Sequence, residues 1–155
     1  EADTSGLRVT PRPGPQWGAT WDGGEGTPVL VAADALEVWR IRHGIARFPV
    51  DLDADSLPAE AGLDREPVID RTKGCYLGQE SVARVRNLGH PPRVVVAVHA
   101  EGPVAASAPV RSGGSEVGSV TSVEPGGGGA AFVRIRWDAR DSELTADGGV
   151  RLRRR

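Results

Sequence analysis

The feature that most constrains the fold is a change of hydrophobic period after Pro91 and Pro92. Beyond these prolines, apolar and polar residues alternate, which is the pattern of a strand with one buried face. In residues 130–137, one face carries Ala131, Val133, Ile135 and Trp137, and the other carries Phe132, Arg134 and Arg136. Because glycine and proline separate several such runs, we predict about five or six short strands that close into a small antiparallel β-barrel.

The other predicted strands are Arg93–His99, Val104–Arg111, Ser115–Val123 and a final strand near Val150–Arg153. The glycines at 126–129 predict a hairpin connection and not a phosphate-binding loop, because no helix and no Lys-Ser or Lys-Thr pair follows them. Since a proline pair ends a helix, we place a domain boundary there, with residues 1–90 before it and residues 91–155 after it.

Two helices are predicted before the boundary. The first is Ala35–Arg42, which follows a capping aspartate and ends at a glycine. The second is Gln79–Leu88, whose valines and Leu88 fall near one face. In this helix Glu80 and Arg84 stand four residues apart and are expected to pair.

The remaining segments predict loops and short strands. Apolar pieces at 7–9, 16–21 and 28–32 are separated by turn-forming residues, so we expect strands joined by loops there. Residues 45–70 carry acidic residues and prolines without a sustained period, which predicts an ordered surface loop. Together with the helices and the barrel, these elements indicate an α+β fold.

Composition restricts the function classes. Nineteen Lys and Arg residues oppose 21 Asp and Glu residues, for a net charge of −2, which argues against a strongly cationic nucleic-acid binder. No apolar run approaches the roughly 20 residues of a membrane-spanning helix, which argues against a membrane partner. The single cysteine precludes an internal disulfide, and no basic-then-apolar leader is present, so we expect a soluble protein of the reducing cytoplasm.

Metal ligands are not spaced for a site within the chain. His43, His90 and His99 are predicted on different elements from Cys75, whereas zinc takes several N or S ligands and an iron–sulfur cluster ordinarily takes four thiolates. We therefore expect no metal to be bound by this chain alone. A nucleophilic pair of Cys75 with His90 would require the chain to fold back across roughly 15 Å of helix.

The chemistry of the sequence concentrates at Cys75, which lies three residues before the second helix. The amino end of a helix carries partial positive charge and free N–H groups, and Lys73 adds a full charge, so a thiolate at Cys75 is favoured. Gly74 and Gly78 permit unusual dihedral angles on either side of it. A buried structural cysteine is the alternative for a lone thiol.

The segment Lys73-Gly-Cys-Tyr-Leu-Gly-Gln-Glu80, followed by Val82-Ala-Arg84, resembles the signature of the YgfZ family. These proteins are folate-binding relatives of the glycine-cleavage T-protein, an aminomethyltransferase, and take part in iron–sulfur protein maintenance. The resemblance continues through the helix at 35–44, the stretch at 57–60, the join at 87–93 and the Gly-Ser-Val-Thr-Ser strand at 118–122.

By that resemblance we expect the C-terminal part of a T-protein-like folate-binding domain followed by the barrel. The implied function is tetrahydrofolate-linked support of iron–sulfur cluster assembly or repair, with folate and iron–sulfur proteins or their assembly machinery as partners. Family members are longer, and their first half forms the other side of the folate-binding ring, so folate binding is expected to need that half.

The resemblance also implies roles for individual residues. Cys75 is expected to be the essential thiol, and Lys73 to help hold it ionised. Supporting roles in the motif are expected for Gly74, Tyr76, Gly78, Gln79, Glu80 and Arg84, and folate contacts for Arg40 and Glu60. One position departs from the family pattern, because Arg42 stands where a glutamate is usual. This charge reversal is expected to weaken a contact to the N–H donors of a pterin.

Two other functions stay open. One is a true aminomethyltransferase that transfers a one-carbon unit to tetrahydrofolate, although T-proteins generally lack the motif of residues 73–80. The other is a non-catalytic adaptor that binds a protein or RNA through a basic stripe on the barrel. That stripe would consist of Arg134, Arg136, Arg151, Arg153, Arg154 and Arg155. We favour a folate-dependent accessory protein and leave open whether it is an enzyme.

Overall fold

The computed structural model of the protein describes residues 33–64, 68–70, 72–127 and 129–155. The strands predicted at 7–9, 16–21 and 28–32 lie outside the described residues. Within the described part of the chain, no helix is long and apolar enough to cross a membrane.

Six antiparallel strands close into a barrel, which confirms the predicted architecture. In chain order they are β1 (Arg93–Ala100), β2 (Pro109–Ser112), β3 (Ser115–Val123), β4 (Ala130–Arg136), β5 (Leu144–Ala146) and β6 (Arg151–Arg154). Around the barrel the order is β1-β4-β3-β2-β5-β6, and β6 pairs with β1 to close it. The sequence missed β5, and the strand predicted from Val104 begins only at Pro109.

The barrel interior is filled by small branched side chains. Its fully buried members include Val98, Val110, Val120, Val133 and Ile135. The inward face predicted for β4 is therefore confirmed, except that Trp137 begins a short 3-10 helix, Trp137–Ala139. Gly118 on β3 faces this strand so closely that a Cβ would lie 2.0 Å from the carbonyl oxygen of Arg134, so only glycine fits.

The outer face of the barrel carries a second apolar cluster, formed with helix α1 (Ala33–Arg42). Phe132 lies on the opposite face of β4 from Ala131 and Val133, as predicted; that face is the outer one, yet Phe132 is only 2% exposed. Ile41 of α1 and Ala130 of β4 bury it. Trp39 of α1 is also buried, whereas Leu36 is 48% exposed.

Helix α2 (Gln79–Leu88) has the bounds predicted from the sequence, and left-handed glycines, Gly78 and Gly89, lie at its two ends. Its packing differs from the prediction, because Val85 is buried while Leu88 is 68% exposed. The predicted ion pair between Glu80 and Arg84 is wrong: among the ion pairs of the described residues, none joins these two side chains. The loop before α2 contains a 3-10 helix, Pro58–Ala61.

Phe132→Ala removes the aromatic ring that joins α1 to the barrel. We expect the free energy of unfolding to fall by about 3–5 kcal/mol, because the cavity left between helix and sheet adds to the lost burial. Urea unfolding measures the change. Leu88→Ala is the matched control at an exposed apolar position and should change the free energy by less than about 0.5 kcal/mol. Equal losses in the two variants would contradict the packing described.

Candidate functional site

A buried carboxylate attaches the chain before the motif to the barrel. Asp51 is 1% exposed and lies in residues 45–64, which we call the connecting loop. It accepts hydrogen bonds from the Arg40 guanidinium at 2.8 Å, from Thr121 and Ser122 at 2.6 Å each, and from the backbone N–H of Arg47 at 2.8 Å. The sequence analysis did not single out this residue, since an aspartate in an acidic loop carries no distinguishing pattern.

A second attachment lies one strand further on. Arg134 of β4 forms ion pairs with Asp53 at 2.5 Å and with Glu60 at 2.7 Å. The hydrogen bond from Arg134 lowers the pKa of Asp53 to about 2. Burial lowers the pKa of the Arg134 guanidinium, but its bonds to the two carboxylates outweigh that effect and raise it. The connecting loop is therefore tied to the barrel at Asp51, at Asp53 and, through Glu60, at its 3-10 helix.

Arg42, which stands where the YgfZ family usually has a glutamate, forms an ion pair within the chain. Arg42 at the end of α1 forms an ion pair of 2.5 Å with Glu124, which is nearly buried. Glu124 also accepts a hydrogen bond from the backbone N–H of Ala130 at 3.2 Å. The arginine thus joins α1 to the segment between β3 and β4.

The two residues expected to contact folate both lie in these networks. Arg40 is 5% exposed and also binds Glu37, with an ion pair of 2.7 Å, and Ser122. Glu60 is 2% exposed and binds Arg134. Their polar atoms are committed to partners within the chain, so the donor set at these two positions does not suit a ligand. A folate contact of either residue stays a prediction that would require it to give up a present partner.

The loop that carries the motif is ordered by local contacts. Asp70 accepts hydrogen bonds from the backbone N–H groups of Thr72 and Lys73 and from the Thr72 hydroxyl, and these bonds lower the pKa of its carboxyl. The Lys73 ammonium lies 4.8 Å from the centre of the Tyr76 ring, a cation–π contact. These contacts hold the charge of Lys73 within the turn that also presents Cys75.

Cys75 itself is exposed and is a free thiol. The alternative of a buried structural cysteine is therefore wrong. Leu77, two residues on, is fully exposed as well, and Gly74 lies in open space. The first backbone N–H of α2, that of Gln79, donates to the Tyr76 carbonyl at 3.2 Å, and no side chain caps the helix. The thiol is thus accessible and precedes an amino end that has no side-chain cap.

Unlike Cys75, the motif residues Tyr76 and Gln79 line a cavity of about 520 Å³. Its walls come from the connecting loop, α2, the start of β1 and Trp137. Most of the lining is aliphatic or aromatic, and Asp64, Asp70 and Arg86 supply charged groups. Such a lining suits a flat ring with polar edges. Cys75 and Lys73 do not line it, so the motif is divided between an exposed thiol and a cavity wall.

Trp137 connects the cavity to the barrel. His90 stacks on it with ring centres 5.4 Å apart, and the Arg140 guanidinium lies 4.1 Å from the centre of the indole. The backbone N–H of Trp137 also donates to the carbonyl of Pro92 at 3.0 Å. The His90 ring therefore stacks on Trp137. This packing role explains the presence of His90 without a nucleophilic pair with Cys75.

Other candidates from the sequence can be placed as well. Among the described residues, no three His, Cys, Asp or Glu side chains are grouped so that they could hold a metal ion.

The suggested basic stripe contains several arginines that have acidic neighbours. The distances are 3.2 Å for Arg136, 3.8 Å for Arg151 and 2.9 Å for Arg154. Arg153 pairs with Glu101. Most of the charge assigned to that stripe is therefore compensated within the chain.

The chain resembles known proteins in sequence. Residues 93–155 match the family model described as CAF17, C-terminal beta-barrel domain. Two relatives are each named iron-sulfur cluster assembly factor IBA57 homolog, mitochondrial. The one from Mycosarcoma maydis is 44% identical over 59 residues, which are 36% of this chain and 15% of that protein. The one from Aspergillus oryzae is 40% identical over 60 residues, or 38% and 13% of the two chains. The matched segments thus span only a small part of these relatives.

A solved structure shares the fold. The glycine cleavage system aminomethyltransferase T from Bartonella henselae superposes with a TM-score of 0.61 at 20% sequence identity, over 77% of this chain and 36% of that one. At this identity the likeness concerns the fold alone. It confirms the predicted α+β fold, in which a T-protein-like part precedes the barrel.

Asp53→Asn tests the attachment of the connecting loop through its pH dependence. The folded-state pKa of Asp53 is about 2, below its ordinary value of 3.8. The ion pair therefore contributes stability above the ordinary value, and that contribution is lost as the pH falls toward about 2. We expect the unfolding free energy of Asp53→Asn to decline less over this range than that of the unchanged protein, as measured by urea titrations at each pH.

Asp55→Asn is the control, since Asp55 is exposed and forms no ion pair among the described residues. If Asp53→Asn and Asp55→Asn followed the same pH profile, the bond from Arg134 would not be the source of the effect.

Proposed function

We propose that this protein supports the assembly or repair of iron–sulfur clusters, because residues 93–155 match the family model of the CAF17 C-terminal β-barrel domain. The resemblance to the YgfZ family, drawn from residues 73–84, agrees with that match. Relatives named as iron–sulfur cluster assembly factors support the proposal, although they match only part of the chain. Those relatives are named as mitochondrial, and a cytoplasmic location for this protein stays a prediction.

The observation that carries the proposal is the exposure of Cys75 within an ordered turn. Thiolates are the ligands that iron–sulfur clusters prefer, and a cluster ordinarily takes four of them. One exposed thiol can supply one ligand while a partner protein supplies the others. Lys73, held against Tyr76 in the same turn, contributes positive charge that favours the thiolate.

Tetrahydrofolate is the proposed cofactor. When bound, it supplies a carrier for one-carbon units. The cavity beside Tyr76 and Gln79 has apolar and aromatic walls that would hold a planar ring, and Asp70 provides a carboxylate at its edge. The likeness to an aminomethyltransferase concerns the fold, and no contact in the site favours that activity over the accessory role.

Cys75→Ser tests the role of the thiol. In cells that lack the endogenous protein, we expect the full-length variant to accumulate normally but to restore iron–sulfur enzyme activity to less than about a tenth of the level given by the unchanged protein. Substitution at an exposed residue usually leaves stability within about 0.5 kcal/mol, so a folding defect should not intervene. The measurement is the specific activity of a cluster-dependent enzyme in cell extracts.

The matched control moves the thiol without removing it. Cys75→Ser combined with Ser142→Cys places one exposed cysteine on the barrel, since Ser142 is exposed after the 3-10 helix that follows β4. The proposal expects no rescue by this double variant. Full activity of Cys75→Ser, or rescue by the relocated thiol, would contradict a role for the thiol at this position.

Ala61→Trp tests the folate proposal, because it places an indole in the cavity. We expect tetrahydrofolate binding to the full-length protein, measured by calorimetric titration, to weaken about tenfold or more, which corresponds to at least about 1.4 kcal/mol. Ala105→Trp adds the same side chain at an exposed position outside the cavity and serves as the control. Unchanged affinity in Ala61→Trp would place the folate elsewhere.

A further inference from the structure

Two arginines stand directly opposite each other on neighbouring barrel strands. Arg93 of β1 and Arg136 of β4 are register partners, and both are exposed on the outer face. Directly opposed side chains in an antiparallel pair have Cβ atoms about 4.5–5.5 Å apart, and like charges at that spacing destabilise the pair. The arrangement therefore costs stability unless something negative lies between the guanidinium groups.

The chain itself supplies little compensation for this pair. Arg136 contacts Asp138 at 3.2 Å, but that carboxylate is 72% exposed. Arg93 forms no ion pair among the residues that the structure describes. Arg134, two residues along the same strand face, is fully engaged by Asp53 and Glu60. Arg93 therefore keeps an uncompensated positive charge, and the charge of Arg136 is met only by an exposed carboxylate.

These two arginines line a cleft of about 560 Å³, which we call the arginine cleft. Its other walls are residues 49–53 of the connecting loop, Ser107, residues 116–121 of β3 and Arg134. The cleft shares no lining residue with the cavity beside Tyr76. It is therefore separate from the proposed folate site.

The carboxylates of the arginine cleft have cationic neighbours of their own. Asp51 binds Arg40, and Asp53 binds Arg134. Glu116 on β3 is the register partner of Arg111 on β2. Asp51 and Asp53 are therefore engaged by other arginines, and among the described residues no ion pair joins Glu116 to Arg93 or Arg136.

Neutral donors complete the lining. Ser107 has φ of 67°, a left-handed conformation that is uncommon for a residue with a side chain. Its turn is fixed to β3 by hydrogen bonds of 2.8 Å from its N–H to the Val120 carbonyl and of 2.9 Å from the Val120 N–H to the Ala108 carbonyl. Within the described part of the chain, the hydroxyls of Ser107 and Ser119 have no hydrogen-bond partner. Strain of this kind at a non-glycine residue is typical of binding sites.

We propose that the arginine cleft binds a small oxyanion, a phosphate or carboxylate group, between the guanidinium groups of Arg93 and Arg136. Guanidinium groups bind both anions through charge-assisted hydrogen bonds, and the hydroxyls of Ser107 and Ser119 add neutral donors. A nucleic-acid backbone requires several phosphate contacts in a row, whereas the neighbouring Arg134 is paired internally. The ligand is therefore a small molecule that carries such a group, and the site is independent of the function proposed above.

The test uses the full-length protein, with inorganic phosphate and succinate as separate probes at constant ionic strength. Calorimetric titration is expected to show saturable binding of at least one probe. Tighter binding of inorganic phosphate assigns the ligand a phosphate group, and tighter binding of succinate assigns it a carboxylate. Either result supports the site, whereas no saturable binding of either probe overturns it.

Matched variants distinguish specific binding of the anion in the cleft from nonspecific electrostatic attraction to the protein. Arg93→Gln and Arg136→Gln are each expected to weaken binding about tenfold or more. Ser107→Gly keeps the left-handed turn and should weaken binding several-fold by removing one hydroxyl. Arg151→Gln makes the same change in net charge at an exposed barrel position outside the cleft, and it should leave affinity unchanged. Equal weakening by all three arginine variants would overturn the proposal, because it would show that net charge alone attracts the anion.

Discussion

The placement of α1 and the connecting loop on the barrel depends on the buried carboxylate of Asp51. It is the point at which α1, the connecting loop and the outer face of β3 meet, through Arg40, Thr121 and Ser122. Breaking a buried ion pair by removing one partner typically costs about 3–5 kcal/mol, because the remaining charge stays buried without compensation. The barrel closes through its own ladder, and this contact is the most deeply buried of the polar contacts that place α1 and the connecting loop against it.

That attachment determines what the motif can do. The connecting loop contributes the 3-10 helix Pro58–Ala61 to one wall of the cavity, and α2 contributes another. The turn at residues 73–78 lies between these walls and solvent. As a result, Tyr76 faces the cavity while Cys75 faces outward. A thiol presented in this way can meet another protein while a small molecule occupies the interior.

Local sequence patterns predicted most of the helices and strands. How these elements pack against one another is determined by contacts between residues far apart in the sequence. The helix at 79–88 and the strand at 115–123 have their predicted bounds, because glycines and hydrophobic periodicity mark both. The strand β5 was missed since three residues are too few to show a period. The networks of Asp51 and Arg134 join residues about 70 to 80 positions apart, which no local pattern reports. For the same reason the sequence identified the motif but not which of its side chains share a cavity.

The ion pair of Arg42 with Glu124 has an evolutionary consequence. Glu124 is nearly buried, and its carboxylate already accepts the N–H of Ala130. A related chain with glutamate at position 42 would lose this ion pair and place a second carboxylate near Glu124, an arrangement that costs stability. The two positions are therefore expected to vary together among relatives, with the charge at one fixing the charge permitted at the other.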